Sequence, residues 1–179
     1  MNVKRLLQLA ACIASASILA GCYGVAAQGG AYAMRQAQKS EFEEAARAGD
    51  ASAQLAYGRS YCCAGLGYST QKATEWICRA ARQDYTPAQI EIGKIYLGNV
   101  VRSPSIGTAI IGNARAKRDR VVALAWLKRA QALGNTDANR VISFAETRAT
   151  PEEIASAEQI SRSRASIPCT YTEVFKTGA

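Results

Sequence analysis

Cysteine is the reactive residue type that tells most about this sequence, because the chain of 179 residues contains six cysteines and no histidine. Without an imidazole there can be no Ser-His-Asp or Cys-His catalytic set, no HExxH zinc site and no histidine proton switch near neutral pH. The cysteines form no CxxC pair, so their arrangement favours disulfides over a redox centre or a metal site. The sequence therefore predicts no catalytic residue, no metal and no cofactor.

Basic side chains form a second feature, since the net charge is +8 and six cations crowd into one region. They lie in and just after an unusual segment at residues 99 to 119: Arg115, Lys117, Arg118, Arg120, Lys128 and Arg129. Most charge runs are solvated faces, and a loop of about twenty residues is either functional or disordered. The alternatives are a solvated loop and a contact for a protein or an anionic polymer. Nucleic acid is disfavoured, because no aromatic residue accompanies the charges within residues 99 to 119.

The first 22 residues, MNVKRLLQLAACIASASILAGC, have the three parts of a secretory signal. Positive charges at Lys4 and Arg5 precede an apolar run that ends in small residues. A transmembrane anchor is the alternative, but the roughly fifteen apolar residues are interrupted by polar ones and fall short of the ~20 that span a bilayer. The pattern predicts export, with residues 1 to 21 removed as a signal peptide.

The end of this segment, LAGC, resembles the lipobox of bacterial lipoproteins. The resemblance implies cleavage before Cys22, acylation of Cys22, and attachment to a membrane through lipid, because two or more acyl chains anchor a protein stably. Tyr23 stands where lipoproteins retained at the inner membrane commonly have Asp, which implies the periplasmic face of the outer membrane. Residues 22 to 39 lack an apolar period and predict a flexible tether.

An internal repeat predicts the elements that position these residues. The segments AARAGDASAQLAYGRSY (residues 45 to 61) and AARQDYTPAQIEIGKIY (residues 80 to 96) align at an offset of 35 with seven identities in seventeen positions. A second alignment, at an offset of 50, pairs Trp76 with Trp126. The larger offset indicates an insertion between the two helices of the second repeat. Two helices cannot cover their own apolar face, so such units are expected to stack as a solenoid.

The pattern resembles the Sel-one-like repeat (SLR) family, a relative of the tetratricopeptide α-solenoids, whose motif runs AA-x-x-G-x-x-x-AQ-x-x-LG-x-x-Y and then KA-x-x-W-x-x-x-A. The first repeat matches it at Ala45, Ala46, Gly49, Ala53, Gln54, Gly58, Tyr61, Lys72, Ala73, Trp76 and Ala80. The second matches it at Ala80, Ala81, Ala88, Gln89, Ile92, Gly93, Tyr96, Ala123, Trp126 and Ala130. Asp84 and Tyr57 replace the Gly and Leu of the motif.

The SLR resemblance implies an all-α fold, an α/α solenoid of antiparallel helix pairs. About two and a half repeats and a capping helix would cover residues 40 to 165, and residues 166 to 179 would form a C-terminal tail. Capping boxes are predicted at Ser40 and at Thr150, and a helix end at Gly49. The helices are expected, to within ~2 to 4 residues, at 40 to 48, 51 to 63, 71 to 82, 86 to 98, 120 to 133, 136 to 147 and 150 to 162.

Four cysteines remain for structural bonds in an exported chain: Cys62, Cys63, Cys78 and Cys169. They allow two disulfides in three connectivities. A bridge between Cys63 and Cys78 is disfavoured, because an axial offset of about 10 Å exceeds the reach of a disulfide. A bond between the adjacent Cys62 and Cys63 would strain the helix. We expect Cys169 to hold the tail against the body through one of the other three.

The SLR resemblance also implies a binding function, because family members generally act as adaptors or scaffolds and form a groove from successive first helices. We therefore expect a membrane-tethered scaffold, not an enzyme, for an envelope protein or an anionic envelope polymer. Clients such as secretion systems or polysaccharide exporters follow from family analogy. The alternatives are an enzyme or binding protein for peptidoglycan fragments or β-lactams, which some cysteine-rich SLR proteins have been linked to, and an assembly factor for an envelope complex. The oligomeric state stays open.

Overall fold

Helices and short connecting segments make up the residues that the computed structural model describes, which are 37, 39 to 62, 69 to 98, 118 to 163 and 167 to 175. Residues 39 to 47 are helical. The helices that follow are α1 (Ala51–Arg59), α2 (Thr70–Arg82), α3 (Thr86–Tyr96), α4 (Arg120–Ala132), α5 (Asp137–Glu146), α6 (Pro151–Arg162) and α7 (Tyr171–Val174). They lie in the second of two compact units, residues 38 to 179. No helix in the described ranges is long and apolar enough to cross a membrane.

The order of helix packing is that of an α-solenoid. Helix α1 packs on α2 and α3 packs on α4, while contacts of α2 with α3 join these two pairs. Helix α4 then packs on both α5 and α6. We call α1, α3 and α5 the first helices, and residues 39 to 47, α2, α4 and α6 the second helices. The all-α solenoid predicted from the repeat is confirmed.

Glycines allow the two helices of each pair to approach closely. A Cβ atom added to Gly58 of α1 would lie 2.5 Å from Cγ1 of Ile77, and one added to Gly93 of α3 would lie 2.6 Å from Cγ of Leu127. A well-packed interior has no space for such an atom unless its neighbours shift. Gly58 and Gly93 differ by 35 in number, and Ile77 and Leu127 by 50, so the same contact recurs in both repeats.

Buried glutamines join α1 and α3 to the second helix that precedes each of them. Gln54 Nε2 donates to the carbonyl of Ala46, and Gln89 Nε2 donates to the carbonyl of Ala81, each at 3.1 Å. Both carbonyls lie near the C-terminal end of a helix, where backbone acceptors lack regular helical partners. The repeated hydrogen bond therefore sets how consecutive pairs stack.

The turns from second to first helices require left-handed backbone conformations. Gly49, Asp84 and Gly134 occupy equivalent turns with φ angles of 102°, 58° and 89°. Aspartate tolerates this region better than most residues that carry a side chain. The Asp84 carboxylate also accepts a hydrogen bond from Arg129 at 2.6 Å. An ion pair to α4 thus accompanies the replacement of the motif's glycine.

Two predicted helix ends differ from the structure. Helix α1 ends at Arg59 and not near residue 63, because the N–H groups of Tyr61 and Cys62 donate to carbonyls three positions back. The N-terminal helical segment already contains residue 39, so Ser40 lies within it and is not its N-cap. The capping box at Thr150 is confirmed by reciprocal hydrogen bonds with Glu153.

A difference between the repeats leaves one buried acceptor without a partner. In the first repeat Gln54 Oε1 accepts a hydrogen bond from Gln83 Nε2 at 2.8 Å. The equivalent atom of the second repeat, Gln89 Oε1, is the one buried side-chain polar atom of the described residues that has no partner. Position 133, which corresponds to Gln83, holds a leucine that is 43% exposed.

We predict that Leu133→Gln stabilises the protein by about 1 kcal/mol, the usual net contribution of a hydrogen bond. The new amide would donate to Gln89 Oε1 as Gln83 does to Gln54, and an exposed apolar side chain would be removed. Urea unfolding of parent and variant measures the effect. Leu133→Met is the matched control, because Met has a similar length and no donor. Equal stabilities of the Gln and Met variants would contradict the prediction.

Candidate functional site

The first helices line a surface groove with a volume of about 610 Å³. We call it the first-helix groove. Its lining residues are Arg59 of α1, Pro87, Ile90, Glu91 and Lys94 of α3, and Asn135, Thr136, Asp137, Arg140 and Val141 at and within the start of α5. The groove therefore crosses all three first helices, which is the surface that the SLR resemblance implies.

The first-helix groove carries a surplus of positive charge. Arg59 forms an ion pair with Glu91 at 3.2 Å, and the side chain of Glu91 is only 7% exposed. A carboxylate buried to that degree requires such a partner. Among the described residues no carboxylate pairs with Lys94 or Arg140. With Asp137 as the second acid, three cations face two carboxylates.

Apolar and amide groups complete the lining. Ile90 is buried beside Pro87, and Val141 lies on the α5 side. Asn135 is held in place because its Nδ2 donates to Thr86 Oγ1 at 2.8 Å and its Oδ1 accepts from the backbone of Asp137 at 3.0 Å. A surface that combines apolar contact with positioned polar groups is suited to bind a polypeptide.

The structure describes four of the six basic residues that the sequence groups between positions 115 and 129. Arg115 and Lys117 lie outside the described residues. Arg118 is exposed, and its side chain lies against Gly98, where an added Cβ would be 2.5 Å from its Nε. Of the four cations that the structure describes, only Arg118 makes no ion pair with a described carboxylate. That any of the six residues binds a partner stays a prediction.

The other three cations of this run form ion pairs within the solenoid. The pairs are Arg120–Glu153 at 2.6 Å, Lys128–Glu146 at 2.7 Å, Lys128–Glu158 at 3.2 Å and Arg129–Asp84 at 2.6 Å. Burial alone would lower the pKa of Lys128, but its two carboxylate partners outweigh burial and raise that pKa. These side chains join α4 to α5, α6 and the turn before α3, and they do not form one exposed cluster with Arg118.

The C-terminal segment, residues 167 to 175, lies against the second helix α2. Cys169 forms a disulfide with Cys78 of α2, with 5.5 Å between the Cα atoms. This bond confirms the prediction that Cys169 holds the tail to the body. Cys62 is also disulfide-bonded, while Cys63 lies outside the described residues. No group of three metal-ligating side chains occurs in the described parts of the chain.

The motif aromatics of the second repeat bind this segment directly. Tyr96 is 1% exposed and Trp126 is 3% exposed. The hydrogen bonds are Tyr96 Oη to the carbonyl of Cys169 at 2.7 Å, Trp126 Nε1 to the carbonyl of Pro168 at 2.9 Å, and the Tyr171 backbone N–H to Thr74 Oγ1 at 3.0 Å. The C-terminal segment is therefore recognised partly through its main chain.

Glu173 is the ionic contact of the C-terminal segment. Its carboxylate accepts hydrogen bonds from Arg82 at 2.8 and 3.0 Å and from the backbone N–H groups of Cys169 and Thr170 at 2.9 Å each. Burial acts to raise the pKa of Glu173, but these donors together outweigh burial and lower the pKa to about 2.

We predict that acid weakens the fold as the pH falls from about 4.5, the ordinary pKa of a glutamate, to about 2. In that window Glu173 binds fewer protons in the native state than in the unfolded state, so lowering the pH favours unfolding. Urea unfolding across this range should show a flatter pH dependence for Glu173→Gln than for the parent. Glu44→Gln, an exposed carboxylate near the other end, is the control. An unchanged pH profile in Glu173→Gln would disprove the assignment.

Sequence reasoning missed the cations of the first-helix groove. Arg59 and Lys94 are equivalent residues at an offset of 35, so a repeated cation on the first helix was the available signal. Arg140 has no such counterpart, because position 90 of the second repeat is Ile. Its place in the groove depends on how α3 and α5 pack.

The stacked helix pairs and the groove define a helical-repeat protein of the α-solenoid class. Within that class the fold is SLR: the chain is similar to the crystal structure of a protective antigen present in uropathogenic Escherichia coli strains, which displays an SLR fold. The sequences are 26% identical, the TM-score is 0.53, and the match covers 69% of this chain. It spans only 24% of the antigen. No protein-family model matches the chain, and no curated protein matches it.

Proposed function

We propose that this protein is a lipid-anchored SLR scaffold of the bacterial cell envelope, which binds a partner protein in its first-helix groove. The observation that carries the proposal is the groove itself, where Lys94 and Arg140, which pair with no carboxylate of the described residues, lie beside Ile90 and Val141. Repeat solenoids commonly bind partners on such extended surfaces. The partner that fits best is a polypeptide with acidic and apolar side chains.

The lipobox-like LAGC sequence supports the membrane part of the proposal. Acylated Cys22 would attach the chain to a membrane, and Tyr23 in the following position favours the outer membrane. Anchored in this way, the protein would bind its partner close to the membrane.

We predict that Cys22→Ser abolishes labelling of the protein with radioactive palmitate, because the acylated thiol is lost. The parent should be labelled and should sediment with outer-membrane markers in a density gradient. Cys12→Ser is the matched control, since it removes a cysteine within the predicted signal and should leave labelling intact. Palmitate incorporation into the Cys22→Ser chain would contradict the proposed anchor.

We predict that a photo-crosslinking residue at position 140 captures one defined partner in the intact envelope. Arg140 is exposed in the groove, whereas Arg162, the control position, is exposed at the end of α6 and outside it. Lys94→Glu should reduce the yield of this adduct roughly tenfold, the effect of losing about 1.4 kcal/mol of binding free energy. Arg162→Glu should leave it unchanged.

Two results would count against groove binding. One is an adduct of the same size and yield from positions 140 and 162. The other is an adduct from position 140 whose yield is unaffected by Lys94→Glu while the folded protein is present at its normal level.

A further inference from the structure

The Tyr–Trp pair of the first repeat differs from that of the second in what covers it. Tyr96 and Trp126 are buried beneath the C-terminal segment and donate hydrogen bonds to its carbonyls. Tyr61 and Trp76 are their equivalents at offsets of 35 and 50, and both are only half-buried. Tyr61 Oη pairs with Tyr57 Oη at 3.1 Å.

The indole N–H of Trp76 remains available. In the described part of the structure it donates to no acceptor, whereas the indole of Trp126 donates to Pro168. The second repeat thus shows what this position binds when it is occupied: the main-chain carbonyl of a peptide segment.

The remaining contacts of the C-terminal segment also have counterparts one repeat earlier. Thr74, Cys78 and Arg82 of α2 correspond, at an offset of 35, to Lys39, Glu43 and Arg47 of the N-terminal helical segment. Arg82, which binds Glu173, corresponds to Arg47, so the first repeat has an arginine at the position that makes the ionic contact. Arg47 has a side chain that is 67% exposed and pairs with Glu43 of its own helix. The first repeat has no equivalent of the disulfide, because the position that corresponds to Cys78 is Glu43.

Positive charge surrounds the aromatic pair of the first repeat. The Lys39 ammonium lies 3.9 Å and the Lys72 ammonium 5.7 Å from the ring centroid of Tyr61, and the Arg79 guanidinium lies 4.2 Å from that of Trp76. With Arg47, four described cations lie around the aromatic pair, and of these four Arg47 pairs with a described carboxylate, Glu43. An occupant with acidic side chains would complement this surface.

We propose that Lys39, Arg47, Tyr61 and Trp76, which we call the N-terminal notch, bind an acidic peptide segment of a partner protein. A main-chain carbonyl of the segment accepts a hydrogen bond from Trp76 Nε1, and a carboxylate binds Arg47, as Glu173 binds Arg82. The notch is built from second helices and the turn after α1, so it is separate from the first-helix groove. The scaffold would therefore have two binding surfaces.

The test uses NMR of the full chain with the Cys78–Cys169 disulfide intact. The chain has two tryptophans, so its ¹⁵N spectrum has two indole resonances, which Trp126→Phe assigns. The probe is a synthetic peptide with the sequence of residues 167 to 175 and Ser in place of Cys169. We expect the Trp76 indole resonance to shift downfield and to saturate, while that of Trp126 stays in place.

Charge variants decide whether binding has the proposed geometry. Arg47→Ala and a probe with Gln in place of Glu173 should each weaken binding roughly five- to tenfold, as expected for a charged hydrogen bond of about 1–1.4 kcal/mol. Arg162→Ala, another exposed arginine, should not. A saturable shift of Trp126 alone, no saturable shift of Trp76, or equal affinities for Arg47→Ala and the parent would each overturn the proposal.

Discussion

The close contact between the two helices of each pair is the constraint on which the other features of the solenoid depend. At Gly58 and Gly93 the partner helix lies where a Cβ atom would be, and Ala73 and Ala123 beside them are fully buried. Helices that meet at such short range keep a fixed separation, because interiors are close-packed and resist deformation. The glutamine hydrogen bonds to Ala46 and Ala81 then carry that geometry from one pair to the next.

The first-helix groove is a consequence of this spacing. Arg59 on α1 reaches Glu91 on α3 because the two first helices lie side by side, each held by its own second helix. Most polar groups of the groove stand on helices whose positions are set by packing, and Asn135 in the turn before α5 is fixed by two hydrogen bonds. A binding surface built in this way is largely pre-formed, which lowers the entropic cost of holding a partner.

The fold could be predicted from the sequence because each position that recurs between the repeats has a physical task. Glycine and alanine permit close approach, glutamine caps a carbonyl, and the glycine of the turn adopts a positive φ. Those tasks depend on neighbours at known offsets. The tail disulfide was predictable in part, since export and the spacing of the cysteines favoured Cys169 as a partner, while the choice of Cys78 required the path of the C-terminal segment.

The candidate site was harder to predict because it depends on which helix faces which. The cations at 120, 128 and 129 form a dense run in the sequence, yet α4 directs them to carboxylates on three different elements. Lys94 and Arg140 are far apart in the sequence and meet only across the groove. Charge density along a chain therefore says little about charge density on a solenoid surface, where neighbours are one repeat apart.

The disulfide between Cys78 and Cys169 has a consequence for the length of the array. Linear repeat proteins contact only their neighbours, so they can fray from an end and can gain or lose units by duplication or deletion. Here a bond across 91 residues closes the chain on itself and, in the chain-entropy account, contributes about 4–5 kcal/mol. Another helix pair inserted after α6 would carry the C-terminal segment away from Tyr96 and Trp126. The bond therefore limits how many helix pairs can lie between α2 and the C-terminal segment.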